Sequence, residues 1–289
     1  MGRRGNRPGN KTGRKLKISD LMHLVRRFMK KMSADKVGVY SAQASFYLMM
    51  GFPPMLLLMF TFLRYTPLTE TMVLDMLSRL LNEDMMEMVT SVVSNIYQGS
   101  LASFSFALIS VLWMAGGGMM GLTNGLNSIH SVYENRNYFV LRFRSSLYAI
   151  ILVIAFVVAF GAMVVGMRFQ NQLSGILPFF SIGKISNFVL IFLAMLMLAG
   201  LFTFLYVSLP NKRMNVGIQV YGALFTTMCW SVFSFFFSIY LSAAQYLSLF
   251  YGGLITLMMA LLWLYFSIYL FFFGAEVSAF LENPDEFPF

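Results

Sequence analysis

The chain has 289 residues, 58% of them hydrophobic and only 11% charged, with a mean hydropathy of +0.70. A soluble domain carries about 25% charged residues, so this composition excludes an ordinary water-soluble globule and points to an all-α polytopic membrane protein. The net charge of +9 is concentrated at the start, where residues 1–36 hold 12 of the 21 Lys and Arg; beside a membrane anchor, anionic headgroups or a topology signal suit that cluster better than nucleic acid.

Residues 1–17 are rich in Gly, Arg, Asn and Lys and read as a disordered basic tail. Residues 18–36 follow as a cytoplasmic amphipathic helix. Leu21, Leu24, Val25, Phe28, Met29 and Met32 recur at helical spacing, and Arg26, Arg27, Lys30 and Lys31 take the other face as headgroup-binding candidates. The apolar face could lie on the membrane or pack on the bundle.

The six-helix transmembrane domain is expected over residues 37–281. Span 1 covers about 37–63, and it is too long and too far from the N-terminus for a cleavable signal core. Pro53 and Pro54 interrupt it and predict a kink. Gln43 and Ser45 lie near its start. An amide in hydrocarbon needs a partner, so Gln43 should face inward, either linking helices or lining a cavity. Residues 64–100 predict an extracytoplasmic amphipathic helix, with Leu77, Leu81, Met85, Met88, Val92 and Ile96 on one stripe.

Span 2 covers about 101–122. Gly117, Gly121 and Gly125 are four apart on one face and predict close helix packing, a hinge or a contact in a homo-oligomer. A helical segment, 123–133, follows. It carries Asn124 and Asn127 with His130 one turn on, read as solvated interfacial polar residues or as cavity candidates. Spans 3 to 6 are expected at about 143–167, 185–209, 216–242 and 252–273, each long enough for about 30 Å of hydrocarbon. Gln245 and Tyr251, near the outer ends of spans 5 and 6, are gate candidates. An acidic tail, 282–289, closes the chain.

Alternate loops carry seventeen and four Lys and Arg respectively. Six spans put both termini on the richer side, which is the cytoplasmic side of the inner membrane. Glu276 then falls just past the cytoplasmic end of span 6. It could reach headgroup water, pair with Arg142 or Arg144, or face inward as a carboxylate closing a cavity. The lone Cys229 cannot form an intramolecular disulfide. The two histidines, His23 and His130, do not form a metal-ligand cluster, so no metal and no cofactor is expected.

Three stretches carry a family resemblance. The last span opens on Tyr251-Gly252-Gly253-Leu254, centres on Leu261-Leu262-Trp263-Leu264-Tyr265 and ends on Gly274-Ala275-Glu276. The first span reads DKVGVYSAQASFYLMMGFPPMLLL, and GLNSIHSVY follows the second. Together these resemble the YihY/BrkB family of inner-membrane proteins, formerly labelled ribonuclease BN-like. Gly253 stands where the family shows serine, and the usual single proline of the first span is doubled. The resemblance implies a transporter or flippase for a lipid-like or amphiphilic molecule. It also gives weight to Glu276 as more than an interface charge. No GxxxxGK[ST] loop is present, so transport would not be driven by a nucleotide site in this chain. A non-transporting membrane scaffold is the alternative. The ribonuclease reading is disfavoured, because phosphodiester cleavage needs clustered acids or histidines, and the protein is expected not to be an enzyme.

Overall fold

The computed structural model describes residues 18–63, 69–78, 86, 90–91, 93–94, 97, 101–154, 183–243 and 253–284. The helices are α1 (Ile18–Ala34), α2 (Val37–Leu63), α3 (Glu70–Ser78), α4 (Leu101–Ile129), α5 (138–154), α6 (Gly183–Ser208), α7 (Val216–Ala243) and α8 (Gly253–Glu282). No strand occurs among the described residues. Four stretches within these helices are long and apolar enough to cross a membrane: Phe104–Ile129, Ile191–Ser208, Val216–Ser242 and Ile255–Glu282. In addition, α2 has 27 residues and no charged side chain.

Sequence explains where the helices stop. A tight turn at Lys36, which adopts a left-handed φ of 56°, separates α1 from α2. Ser131 does the same after α4 with a φ of 52°, and the Val132 N–H returns to the Asn127 carbonyl at 2.8 Å. That bond satisfies a carbonyl the helix end would leave open. The segment 123–133 is therefore not a separate helix. α4 runs unbroken to Ile129, and the chain has left it before Tyr133. α2 stays helical through Pro53 and Pro54.

α4 packs most extensively on α2, and α8 packs on α7 and α2. α6 lies on α7, and α1 docks on α2 and α8. Small residues set the closest approaches. Gly121 lies against Ala44 of α2, and a Cβ at Gly117 would run into the Tyr47 ring. A Cβ at Gly125 would enter the Phe272 ring of α8. The glycine face thus lets two neighbours close on α4. Where α7 crosses α8, Gly222 and Gly274 bring the backbones together: a Cβ at Gly274 would stand 2.8 Å from the Gly222 carbonyl. The core around these contacts contains Leu126, Ile129, Tyr206, Leu209, Phe272 and Ala275, all fully buried. Large apolar side chains elsewhere point outward, among them Phe139, Phe143, Phe192, Met228 and Phe235. A soluble protein buries such residues, whereas a bilayer solvates them.

α1 settles on the bundle through one face. Phe28 meets Phe273 and Phe280 at ring-centroid distances of 6.2 and 5.2 Å, and Met32 is buried. Val25 and Met29 are exposed. Most of the apolar stripe expected over residues 64–100 lies outside the described residues, as does the C-terminal part of span 3.

Candidate functional site

Polar side chains gather at the end of the bundle where α1 docks. Lys31 is the centre of this group. It was expected among outward-facing headgroup ligands, but it is only 6% exposed. Its helical register puts it beside the apolar face that docks through Phe28 and Met32, so the long side chain turns into the protein. The ammonium pairs with Asp35 one turn on and donates to the Ile129 carbonyl at 3.1 Å. A cation there meets the open carbonyls and negative dipole end of α4. The same ammonium stands 4.0 Å from a carboxylate oxygen of Glu276. Arg26 and Lys30, in contrast, are exposed, and Arg27 is half-buried.

Glu276 is fully buried, and neither carboxylate oxygen has a hydrogen-bond partner. Its only ion-pair partner among the described residues is Lys31. The expected pairing with Arg142 or Arg144 does not form, because both arginines are engaged elsewhere. Arg142 is buried, donates to the Trp113 carbonyl at 2.5 Å and lies over the Trp113 and Tyr47 rings at 4.5 and 5.2 Å. Arg144 donates to the Tyr148 hydroxyl at 2.9 Å. Nor does Glu276 reach headgroup water, since α1 covers it.

Sequence reasoning singled out Gln43 but missed Gln219, although the same signal, an amide in an apolar helix, was present. Gln219 of α7 is fully buried, and both its amide oxygen and nitrogen lack a hydrogen bond. Ser278 of α8, against Gly222, is likewise buried with an unpartnered hydroxyl. Gln43 itself is half-buried on α2, whereas its neighbours Ser41, Ala44 and Ser45 face fully inward. Ser45 spends its hydroxyl on its own helix, bonding the Ser41 carbonyl at 2.8 Å. Pro53 is exposed and Pro54 half-buried. Gln245 and Tyr251 lie outside the described residues.

A second group fastens the loops below α4. Asn127 is buried, not solvated: its amide donates to Glu134 at 2.8 Å and accepts from the Asn211 N–H at 2.8 Å. Glu134 in turn holds Arg136 at 2.7 Å. The loops around 134 and 211 thus converge on one side chain, a clamp that periodicity along α4 cannot reveal. Asn124 stays half-exposed. Glu282, expected in a free acidic tail, is the last residue of α8 and lies 3.7 Å from Lys212 and 3.9 Å from His130 Nδ1. His130 is buried, and burial is the main reason its pKa falls from 6.5 to about 4, with Lys212 and Lys31 adding repulsion. Among the described residues, no three His, Cys, Asp or Glu side chains gather as metal ligands.

Long apolar helices and an outward-facing apolar surface define a polytopic helical membrane protein. The chain belongs to the family described as virulence factor BrkB, which it matches over residues 28–288. It is 30% identical over 262 residues to a protein of Bacillus subtilis named putative ribonuclease-like protein YfkH, covering 86% of this chain and 93% of that one. A UPF0761 membrane protein of Vibrio parahaemolyticus is 22% identical over 264 residues, 89% of this chain and 81% of the relative. A shorter match, 33% over 82 residues, links it to a UPF0761 membrane protein of Pseudomonas paraeruginosa and covers 28% of this chain and 20% of that one. No solved structure matches the chain.

Proposed function

We propose that the protein is an inner-membrane transporter or flippase for a lipid-like or amphiphilic molecule, with six spans and both termini in the cytoplasm. α2 and the segment that begins in α5 would add to the four apolar stretches to make six. The observation that carries the reading is Glu276. A fully buried carboxylate with one cation 4.0 Å away and the Asp35 carboxylate as its other neighbour is incompletely satisfied. Native proteins pair buried charges unless function requires otherwise. In this reading Glu276 and Lys31 form a cytoplasmic gate, and movement of α1 away from α8 opens it. Gln219, with its free amide, and Gln43 are the polar groups a headgroup would meet inside.

Translocation in proteoliposomes tests this, with fluorescent phospholipids and amphiphiles offered to the native chain, to Glu276→Gln and to Gln219→Ala. The reading expects native activity and its loss in Glu276→Gln while the thermal midpoint stays within a few degrees. Activity indifferent to both changes removes the gate assignment. Topology is tested separately: single cysteines placed at each terminus of a Cys229→Ser chain should label only after the membrane is permeabilised.

A scaffold without transport is the second reading. The tight packing of Gly117, Gly121 and Gly125 favours it, because that face is filled by Tyr47, Ala44 and Phe272. The ribonuclease wording belongs to the Bacillus subtilis relative. We take this chain to be no enzyme, since the acids around Lys31, Asp35 and Glu276, are held by a lysine, and no three potential metal ligands gather among the described residues as metal-assisted phosphodiester hydrolysis would use.

A further inference from the structure

An open cavity of about 590 Å³ lies between the end of α6, the start of α5 and the loop that leads into α7. Arg144, Tyr148, Ser208, Asn211, Lys212 and Arg213 are among the residues that line it. Three of these are cations and none of the lining residues is an acid. Their charge is not consumed inside the protein. Arg144 is held by neutral groups, the Tyr148 hydroxyl at 2.9 Å and the Ser208 carbonyl at 3.5 Å. Tyr148 also donates to Ser208 at 2.9 Å, so the guanidinium is fixed in place. Arg213 is exposed and has no carboxylate within ion-pair distance among the described residues. Only Lys212 shares an acid, Glu282 at 3.7 Å.

The cavity adjoins a lipid-facing surface. Phe143, next to Arg144, is 69% exposed, and Leu147 and Ile151 continue the same stripe along α5 at helical spacing. A ligand that fits this junction carries an anion at one end and hydrocarbon at the other. We infer that the cavity is a binding site for the phosphate headgroup of an anionic phospholipid, whose acyl chains lie along Phe143, Leu147 and Ile151. Arginine suits phosphate because its planar fork donates two parallel hydrogen bonds. Basic pockets between helices near the membrane surface hold such headgroups. The site is separate from the exposed cations of α1, and it requires no translocation. Binding and transport are therefore measured independently.

The test uses the full chain in detergent and counts retained lipid by native mass spectrometry, with phosphatidylglycerol and phosphatidylcholine as probes. The expected result is one tightly held phosphatidylglycerol and no matching phosphatidylcholine. Arg213→Gln, at an exposed residue with no carboxylate partner among the described residues, should weaken retention about fivefold. Arg144→Gln with Arg213→Gln should weaken it further, while Lys36→Gln, at an exposed cation outside the cavity, leaves it unchanged. Equal retention of the two lipids overturns the site. So does loss in Lys36→Gln with none in Arg213→Gln. Displacement of the lipid by inorganic phosphate at comparable concentration overturns the lipid assignment and makes the cavity a site for the free anion.

Discussion

Lys31 and Glu276, at opposite ends of the sequence, face each other at 4.0 Å in the buried end of the bundle. The relationship is asymmetric. Lys31 serves Asp35 and the Ile129 carbonyl as well, whereas Lys31 is the one cation beside Glu276 among the described residues and the acid's other neighbour, Asp35, is itself an acid. Lys31→Met should therefore lower stability by about 3 kcal/mol, since it strands a buried acid and opens the end of α4. Glu276→Gln should cost about 1 kcal/mol or less, because Lys31 keeps its other two acceptors. Thermal midpoints of the two purified variants check the order, and equal losses would refute it.

Asn127 and Asn124 share a helix and a residue type but not a fate. Asn127→Ala takes one hydrogen bond from Glu134, which keeps Arg136, and leaves the Asn211 N–H without its acceptor, so it should cost about 1–3 kcal/mol. Asn124→Ala, at a half-exposed position, should stay within about 0.5 kcal/mol. Denaturation of both in the same detergent makes the comparison.

Two glycines provide a test of helix packing. A Cβ at Gly274 collides with Thr226 and the Gly222 carbonyl, so Gly274→Ala must push α7 from α8 and should cost about 1–3 kcal/mol. A Cβ at Gly200 meets nothing within 4 Å. Gly200→Ala should be neutral or should stabilise α6 by up to about 1 kcal/mol. A similar loss at both positions would mean that the α7–α8 crossing is not the tight one.

His130 gives the chain an acid-sensitive loop. Its pKa is depressed in the folded state to about 4 against 6.5, so the unfolded chain binds the proton more readily. The stabilising contribution is present above pH 6.5 and is lost as pH falls through the window from 6.5 to 4. The loss could reach roughly 3 kcal/mol. Glu282, 3.9 Å from Nδ1, does not compensate, because burial and the two lysines outweigh it. His130→Gln should flatten the dependence of the thermal midpoint on pH in that window. An unchanged slope would place the effect on another group.

The sequence by itself determined the class of protein and much of the course of its helices. Hydrophobic run length is a local quantity, because each span must match the same thickness of hydrocarbon. Hydropathy alone puts a span at 216–242, and α7 runs Val216–Ala243. The repeat of Gly117, Gly121 and Gly125 marks a face, because helical spacing is local too. The tertiary structure decided which side chains meet. Helical spacing places Lys31 with Arg26, Arg27 and Lys30, yet docking through Phe28 turns it inward to Glu276. The acid was legible from its setting, but its partner was not, since Arg142 and Arg144 are equally basic and engaged elsewhere. Asn127 became a clamp only because the loops at 134 and 211 return to the same helix end. Such pairings depend on how helices rotate and tilt against each other. No periodicity within one helix encodes that geometry.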